Sequence, residues 1–262
     1  MNRKSIAALS ATLAIATPVG ATNYQDLWWN PSESGWGIQI VQQADTLFLT
    51  WFIYNASGQP TWVVSDGVTR IATSPNVVYR GRVVAATGTF FGAPAWAAIT
   101  PRVVGADVTL TFTDARSGTI SYVIDGTTVT KSITRQTLVP INIAGTYQGG
   151  IFRSGTGCSN TNNNGTRLGD PTTFSVAHTV GTDALVINEL GGTLCRFSGT
   201  LTQFGSSYEA TGSYTCQGET GTWTGREGTQ SETTFGLKMA LRPAGDVCTV
   251  NATIGGFKQP AG

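Results

Sequence analysis

Along most of this chain apolar and polar residues alternate with a period of two, in runs of five to ten residues cut by Gly, Asn, Asp and Pro. That alternation puts successive side chains on opposite faces of an extended strand, and no segment keeps an apolar period of 3.6 for three turns. The pattern predicts strands over residues 36–43, 46–55, 61–68, 77–84, 103–114, 119–124 and 127–135, about seven or eight antiparallel strands. In the first of them Trp36, Ile38 and Ile40 share one face while Gln39, Val41 and Gln43 share the other, which sends Trp36 inward. In the second, Trp51 and Ile53 oppose Phe52 and Tyr54, so both faces carry aromatic residues. Asp125-Gly126 lies between two such runs and supplies the positive-φ residues that a two-residue hairpin needs, placing Tyr122 opposite Val129.

The alternation breaks at Val139-Pro140-Ile141-Asn142-Ile143, where a proline cannot donate to a central strand. The break reads as a linker, 139–143, between a Trp-rich domain, 22–138, and a second strand-rich domain, 144–262. The expected fold is all-β: two consecutive small antiparallel β-barrel or sandwich domains of meander type. One large sandwich is the alternative.

All four cysteines lie in the second domain, at 158, 195, 216 and 248. If Gly205-Ser206 is a hairpin tip, Leu201 faces Ala210, Gly199 faces Gly212, Phe197 faces Tyr214 and Cys195 faces Cys216. One face is then apolar and the other holds Arg196, Ser198, Thr200 and Thr202 against Thr215, Ser213, Thr211 and Glu209, as a half-buried pair demands. This register predicts a Cys195–Cys216 bridge and leaves Cys158–Cys248, which would tie the start of the domain to its last strand. Metal binding is disfavoured, because no C-x-x-C spacing exists.

Composition fixes the compartment. Asn2, Arg3 and Lys4 precede an apolar run and the small residues Val19-Gly20-Ala21, a secretory signal over 1–21 that makes the mature chain secreted or periplasmic. Without Arg3 and Lys4 the 16 basic residues become 14 against 15 acidic, a formal charge of −1. A near-neutral chain lacks the basic stripe that nucleic acid requires, and no later apolar run is long enough to insert the mature chain into a membrane as a helix.

Catalytic signatures are scarce, no cofactor motif is present and no metal site is expected. The single histidine, His178, lies in a strand-like run, and no G-x-S-x-G elbow accompanies it. The Asn160-Thr161-Asn162-Asn163-Asn164-Gly165 loop has the opening spacing of a calcium loop, but Pro171 stands where the bidentate Glu belongs. Asp26 and Glu33, the acids embedded among aromatics, would support a carboxylate-based hydrolase only if they faced one another about 5–10 Å apart.

Five of the seven tryptophans fall between residues 28 and 62. Such a cluster is either a packed core or a stacking surface for an extracellular ligand, a glycan or a cell-envelope component. Trp28, Trp29 and Trp62 lie at strand ends and are the candidates for exposure; with Glu33 and Tyr54 they form the expected ligand-binding set. The alternative is a structural or adhesive protein whose aromatics are all core.

The run Trp28-Trp29-Asn30-Pro31-Ser32-Glu33-Ser34-Gly35-Trp36-Gly37, followed by Trp51-Phe52-Ile53-Tyr54, Gly58-Gln59-Pro60-Thr61-Trp62, Phe112-Thr113-Asp114-Ala115 and Lys131-Ser132-Ile133-Thr134-Arg135-Gln136, resembles a family of exported bacterial domains without an established function. The resemblance covers about residues 24–138; such domains occur alone, in tandem and appended to other secreted proteins, which implies a module more than a self-contained enzyme, and it brings no catalytic residues. Beyond Ala144, Gly145-Thr146-Tyr147-Gln148-Gly149-Gly150 with the later cysteines resembles a lipocalin or avidin barrel at the level of architecture.

Overall fold

The computed structural model describes residues 22–124, 126–169, 171–192 and 194–260; the expected signal peptide lies outside them. Each alternating run forms a strand, and the chain builds two closed antiparallel eight-stranded barrels in succession. The first contains β1 (Asp26–Trp29), β2 (Gly37–Gln43), β3 (Thr46–Tyr54), β4 (Pro60–Ala72), β5 (Val77–Thr87), β6 (Thr100–Phe112), β7 (Ser117–Ile124) and β8 (Thr127–Arg135), in chain order around the wall. The hairpin between β7 and β8 has the expected register, with Tyr122 opposite Val129.

One strand was illegible in the pattern. β1 has four residues before Asn30-Pro31, too few to display a period, yet it pairs with both β2 and β8 and so closes the barrel. Trp28 therefore does not sit exposed at a strand end. It is the inward residue of the closing strand, wholly buried, with its Nε1–H donating to the Tyr24 carbonyl at 2.9 Å and its ring 5.0 Å from that of Phe112. Tyr24 stacks on Phe112 at 3.8 Å, so the segment before β1 plugs this end of the barrel.

The second barrel contains β9 (Gly145–Gly155), β11 (Thr172–Thr179), β12 (Ala184–Glu189), β13 (Arg196–Phe204), β14 (Ser207–Cys216), β15 (Glu219–Gln230), β16 (Thr234–Pro243) and β17 (Val250–Lys258), with a short β10 (Gly165–Leu168) added to the far half of β9. β17 returns to pair with β9 from Val250↔Gly155 to Lys258↔Tyr147, which closes the wall. The β13–β14 register is the one the polarity pattern predicts, from Arg196↔Thr215 to Phe204↔Ser207. Both expected bridges are present, Cys195–Cys216 and Cys158–Cys248, at sequence separations of 21 and 90. By loop-closure entropy they stabilise the fold by roughly 3 and roughly 4–5 kcal/mol.

The barrels meet where the β13–β14 tip seats against the closing end of the first barrel. Phe204 is buried but belongs to neither hydrophobic core; the guanidinium groups of Arg116 and Arg135 lie 5.9 and 5.4 Å from its ring centre. Ser206 donates to Asp26 Oδ2 through its backbone N–H at 2.8 Å and its hydroxyl at 3.0 Å, while the Gly205 N–H donates to the Thr137 hydroxyl at 2.9 Å. Arg116 also pairs with Glu209 at 3.4 Å.

The expected linker is docked. Gln203 accepts from the Ile141 N–H and donates to the Val139 carbonyl, both at 2.9 Å, and Ile143 is buried in the second core. The Ile143 N–H also donates to His178 Nδ1 at 3.4 Å.

Two outcomes follow from the junction. Gly205 adopts φ +55, and a Cβ there would lie 2.0 Å from Asp26 Oδ2. Gly205→Ala is expected to lower the free energy of unfolding by about 2 kcal/mol or more, the left-handed backbone alone costing roughly 1; denaturant titration measures it. His178 is held neutral, since burial pulls its pKa below the ordinary 6.5. The unfolded chain takes up a proton that the folded chain refuses, so stability is full above about pH 6.5 and declines as the pH falls below it, with a slope of at most about 1.4 kcal/mol per pH unit. Unfolding titrations between pH 7 and 5 are expected to show this slope in the parent protein and a clearly smaller one, left by depressed carboxylates such as Glu33, in His178→Gln.

Candidate functional site

The five residues expected to form one ligand-binding set do not all come together. Trp28 is core, and Trp29, half-buried, follows it on β1 and pairs with Thr134 of β8. Glu33 closes a small cluster at the end of the barrel remote from the junction: its Oε2 accepts from Trp36 Nε1 at 3.1 Å and from Lys131 Nζ, while Lys131 lies 5.3 Å from the Trp36 ring centre. The bond from Lys131, aided by that from Trp36, holds the Glu33 carboxyl below its usual pKa. Trp36 itself points inward and packs half-buried on the core.

Tyr54 and Trp62 are exposed, at 56% and 57%, and with Phe52 at 42% they form a row on the convex outer face of β3 and β4. Phe52 pairs with Trp62 across the two strands. The glycines of the Glu33-Ser34-Gly35-Trp36-Gly37 motif explain how the row is seated. A Cβ on Gly37 would lie 2.9 Å from the Phe52 ring, and one on Gly35 would lie 3.4 Å from the Tyr54 hydroxyl. The absent side chains leave beds in which these rings rest.

Asp26 and Glu33 do not form a catalytic pair. Asp26 is bound to Arg135 at 3.6 Å and Glu33 to Lys131. These two bases are four residues apart on β8, roughly 13 Å along an extended strand. Asp26 faces the junction and Glu33 the opposite end.

A built concavity lies elsewhere, at the end of the second barrel remote from the junction. It encloses about 510 Å³ and is lined by Arg153, Glu189, Tyr214 and Glu219 from the wall, Asn160, Asn162 and Asn163 from the overhanging loop, and Arg167 of β10. Glu219 organises it: Oε1 accepts from the Tyr214 hydroxyl at 3.0 Å and Oε2 from the side-chain amides of Asn160 at 3.0 Å and Asn163 at 2.7 Å. Burial, and then the bond to Glu219, push the Tyr214 pKa well up, so its hydroxyl stays a donor. Arg153 lies 3.9 Å from the buried Glu189 and 2.9 Å from Cys195 Sγ.

The overhanging loop is stapled at its base by Cys158–Cys248 and by Ser159 N–H donating to Asp246 at 2.8 Å. Its Asn residues form a short 3₁₀ turn, Thr161–Asn163, that clasps a carboxylate. Cys158 and Cys248, although close to Asp246, are joined to each other and offer no thiolate to a metal.

The mouth escaped sequence reasoning, though a signal exists. Arg153 continues the inward series Tyr147, Gly149 and Ile151 of β9, and Glu189 continues Leu185 and Ile187 of β12. A charge at the end of an inward-facing apolar series lies either in a mouth or at a buried pair, and both apply here.

No known family profile matches the chain, and no curated protein matches it. Among solved structures, it is similar to a candidate outer membrane protein of Bacteroides fragilis at 16% identity, over 90% of this chain and 96% of that one, with a TM-score of 0.32. It is also similar to a DUF3598-family protein of unknown function from Nostoc punctiforme at 10% identity, over 89% and 93%, with a TM-score of 0.24.

Proposed function

We propose that this is an exported binding protein that holds a small, uncharged, hydroxyl-rich ligand, of the glycan class, in the mouth of its second barrel. The observation that carries the reading is the 510 Å³ cavity at the mouth of the second barrel, where the half-exposed polar network around Glu219 sits above an interior packed with apolar side chains. Barrel mouths are customary sites for small ligands. The lining balances two arginines against two glutamates, which disfavours an ionic ligand, and its amides and carboxylates can both donate to and accept from hydroxyl groups. Two disulfides agree with an oxidising, periplasmic or extracellular setting. A binding role fits better than catalysis, since His178 is locked in the core and Asp26 and Glu33 face opposite ends.

A second reading, stacking on the Trp-rich domain, retains Tyr54 and Trp62 as its exposed residues. Calorimetric titration with a panel of neutral mono- and oligosaccharides separates the two. Glu219→Ala removes the acceptor of three hydrogen bonds and is expected to weaken binding at least about tenfold, while Trp62→Ala leaves it unchanged. Loss in Trp62→Ala with retention in Glu219→Ala would move the site to the first barrel, and no binding by the parent protein would end the glycan reading.

A further inference from the structure

Between β5 and β6, residues 88–99 form a loop with four large apolar side chains open to solvent: Phe90 at 79%, Phe91 at 95%, Trp96 at 69% and Ile99 at 56%. The loop is not slack. Ala93 N–H donates to the Phe90 carbonyl at 2.9 Å, Ala97 N–H donates to the Thr89 hydroxyl at 2.9 Å, and the Phe90 ring lies against Gly92. A fixed turn thus holds the apolar side chains outward, where leaving them in water is costly and calls for a partner.

We propose that this loop is a wedge that docks the protein on a lipid bilayer by entering its interface. The composition selects that partner over a glycan. No charged residue occurs from Gly88 to Pro101, and the only side-chain polar groups between Gly88 and Ile99 are the Thr89 hydroxyl, already engaged with Ala97, and the Trp96 indole N–H. Sugar hydroxyls laid on this loop would go unpaired, whereas hydrocarbon requires no partner.

The placement agrees. Phe112, at the other end of β6, leads into the turn whose Arg116 touches the second barrel, so the loop lies twelve residues away, roughly 40 Å of extended strand. Behind the apolar tip comes Arg102, exposed and paired with Ala85, and the amphipathic rings of Tyr54 and Trp62 lie at the same end of the barrel. Apolar tip, aromatic girdle and cation follow the order of acyl chain, interface and phosphate.

The test is co-sedimentation of the purified protein with phosphatidylcholine vesicles, with and without phosphatidylglycerol. The parent protein is expected to bind both. The double variant Phe91→Ser/Trp96→Ser is expected to lose at least about tenfold in partitioning while keeping its melting temperature, because both side chains are exposed. Trp96→Phe should retain binding but lose part of the blue shift in tryptophan emission that vesicles produce. The proposal fails if the parent protein does not sediment, if it binds only anionic vesicles and salt abolishes the binding, or if the double variant binds as well as the parent. It fails equally if the parent is a dimer that the double variant dissolves, since the loop's partner would then be a second copy.

Discussion

The guanidinium of Arg135 is the group on which both halves of the molecule depend. Its side chain is 1% exposed, at the point where β8 meets β1 and where the second barrel's hairpin arrives. It pairs with Asp26 at 3.6 Å, donates to the Asn23 carbonyl, lies 5.2 Å from the Trp28 ring centre and covers Phe204. Burial alone would pull its pKa down, and Asp26 opposes that pull. A buried cation is tolerated only when such partners surround it, so closure of the first barrel and docking of the second share one electrostatic requirement. Removing the charge would leave Asp26 largely buried without its base and Phe204 without its lid.

Much of the wall was legible because strand parity is a strong constraint. In β2 polarity specified which side chains face inward, and in the β13–β14 hairpin the tip at Gly205-Ser206 together with polarity specified the register and, through it, the Cys195–Cys216 bridge. The same logic failed at β1. Four residues carry no period, and the burial of Trp28 is decided by pairing with β8, more than a hundred residues away. The mouth was illegible for a related reason: the β14–β15 hairpin brings Tyr214 to Glu219, but only closure of the barrel gathers that pair with Arg153 and Glu189.

The Glu33-Ser34-Gly35-Trp36-Gly37 motif changes meaning with the structure. Its distinctive positions all make packing or ionic contacts at one end of the barrel. Glu33 ties Lys131 and Trp36 together, Gly35 and Gly37 seat Tyr54 and Phe52, and Trp36 packs on the core. The motif is a clasp at the remote end of the first barrel. What it presents to solvent is the outer aromatic row, and the tryptophans of this stretch divide between filling and facing.

The stapled loop over the second barrel restricts how far its mouth can change shape. The interior beneath the cavity is packed with the second core, and the opposite end of that barrel is covered by the junction and the docked segment through Ile143. Its rim is drawn in by the Cys158–Cys248 bridge and by the asparagines that hold Glu219. The shape of the mouth is governed by how readily the asparagines release that carboxylate, and the oxidised staple sets how far the rim can part.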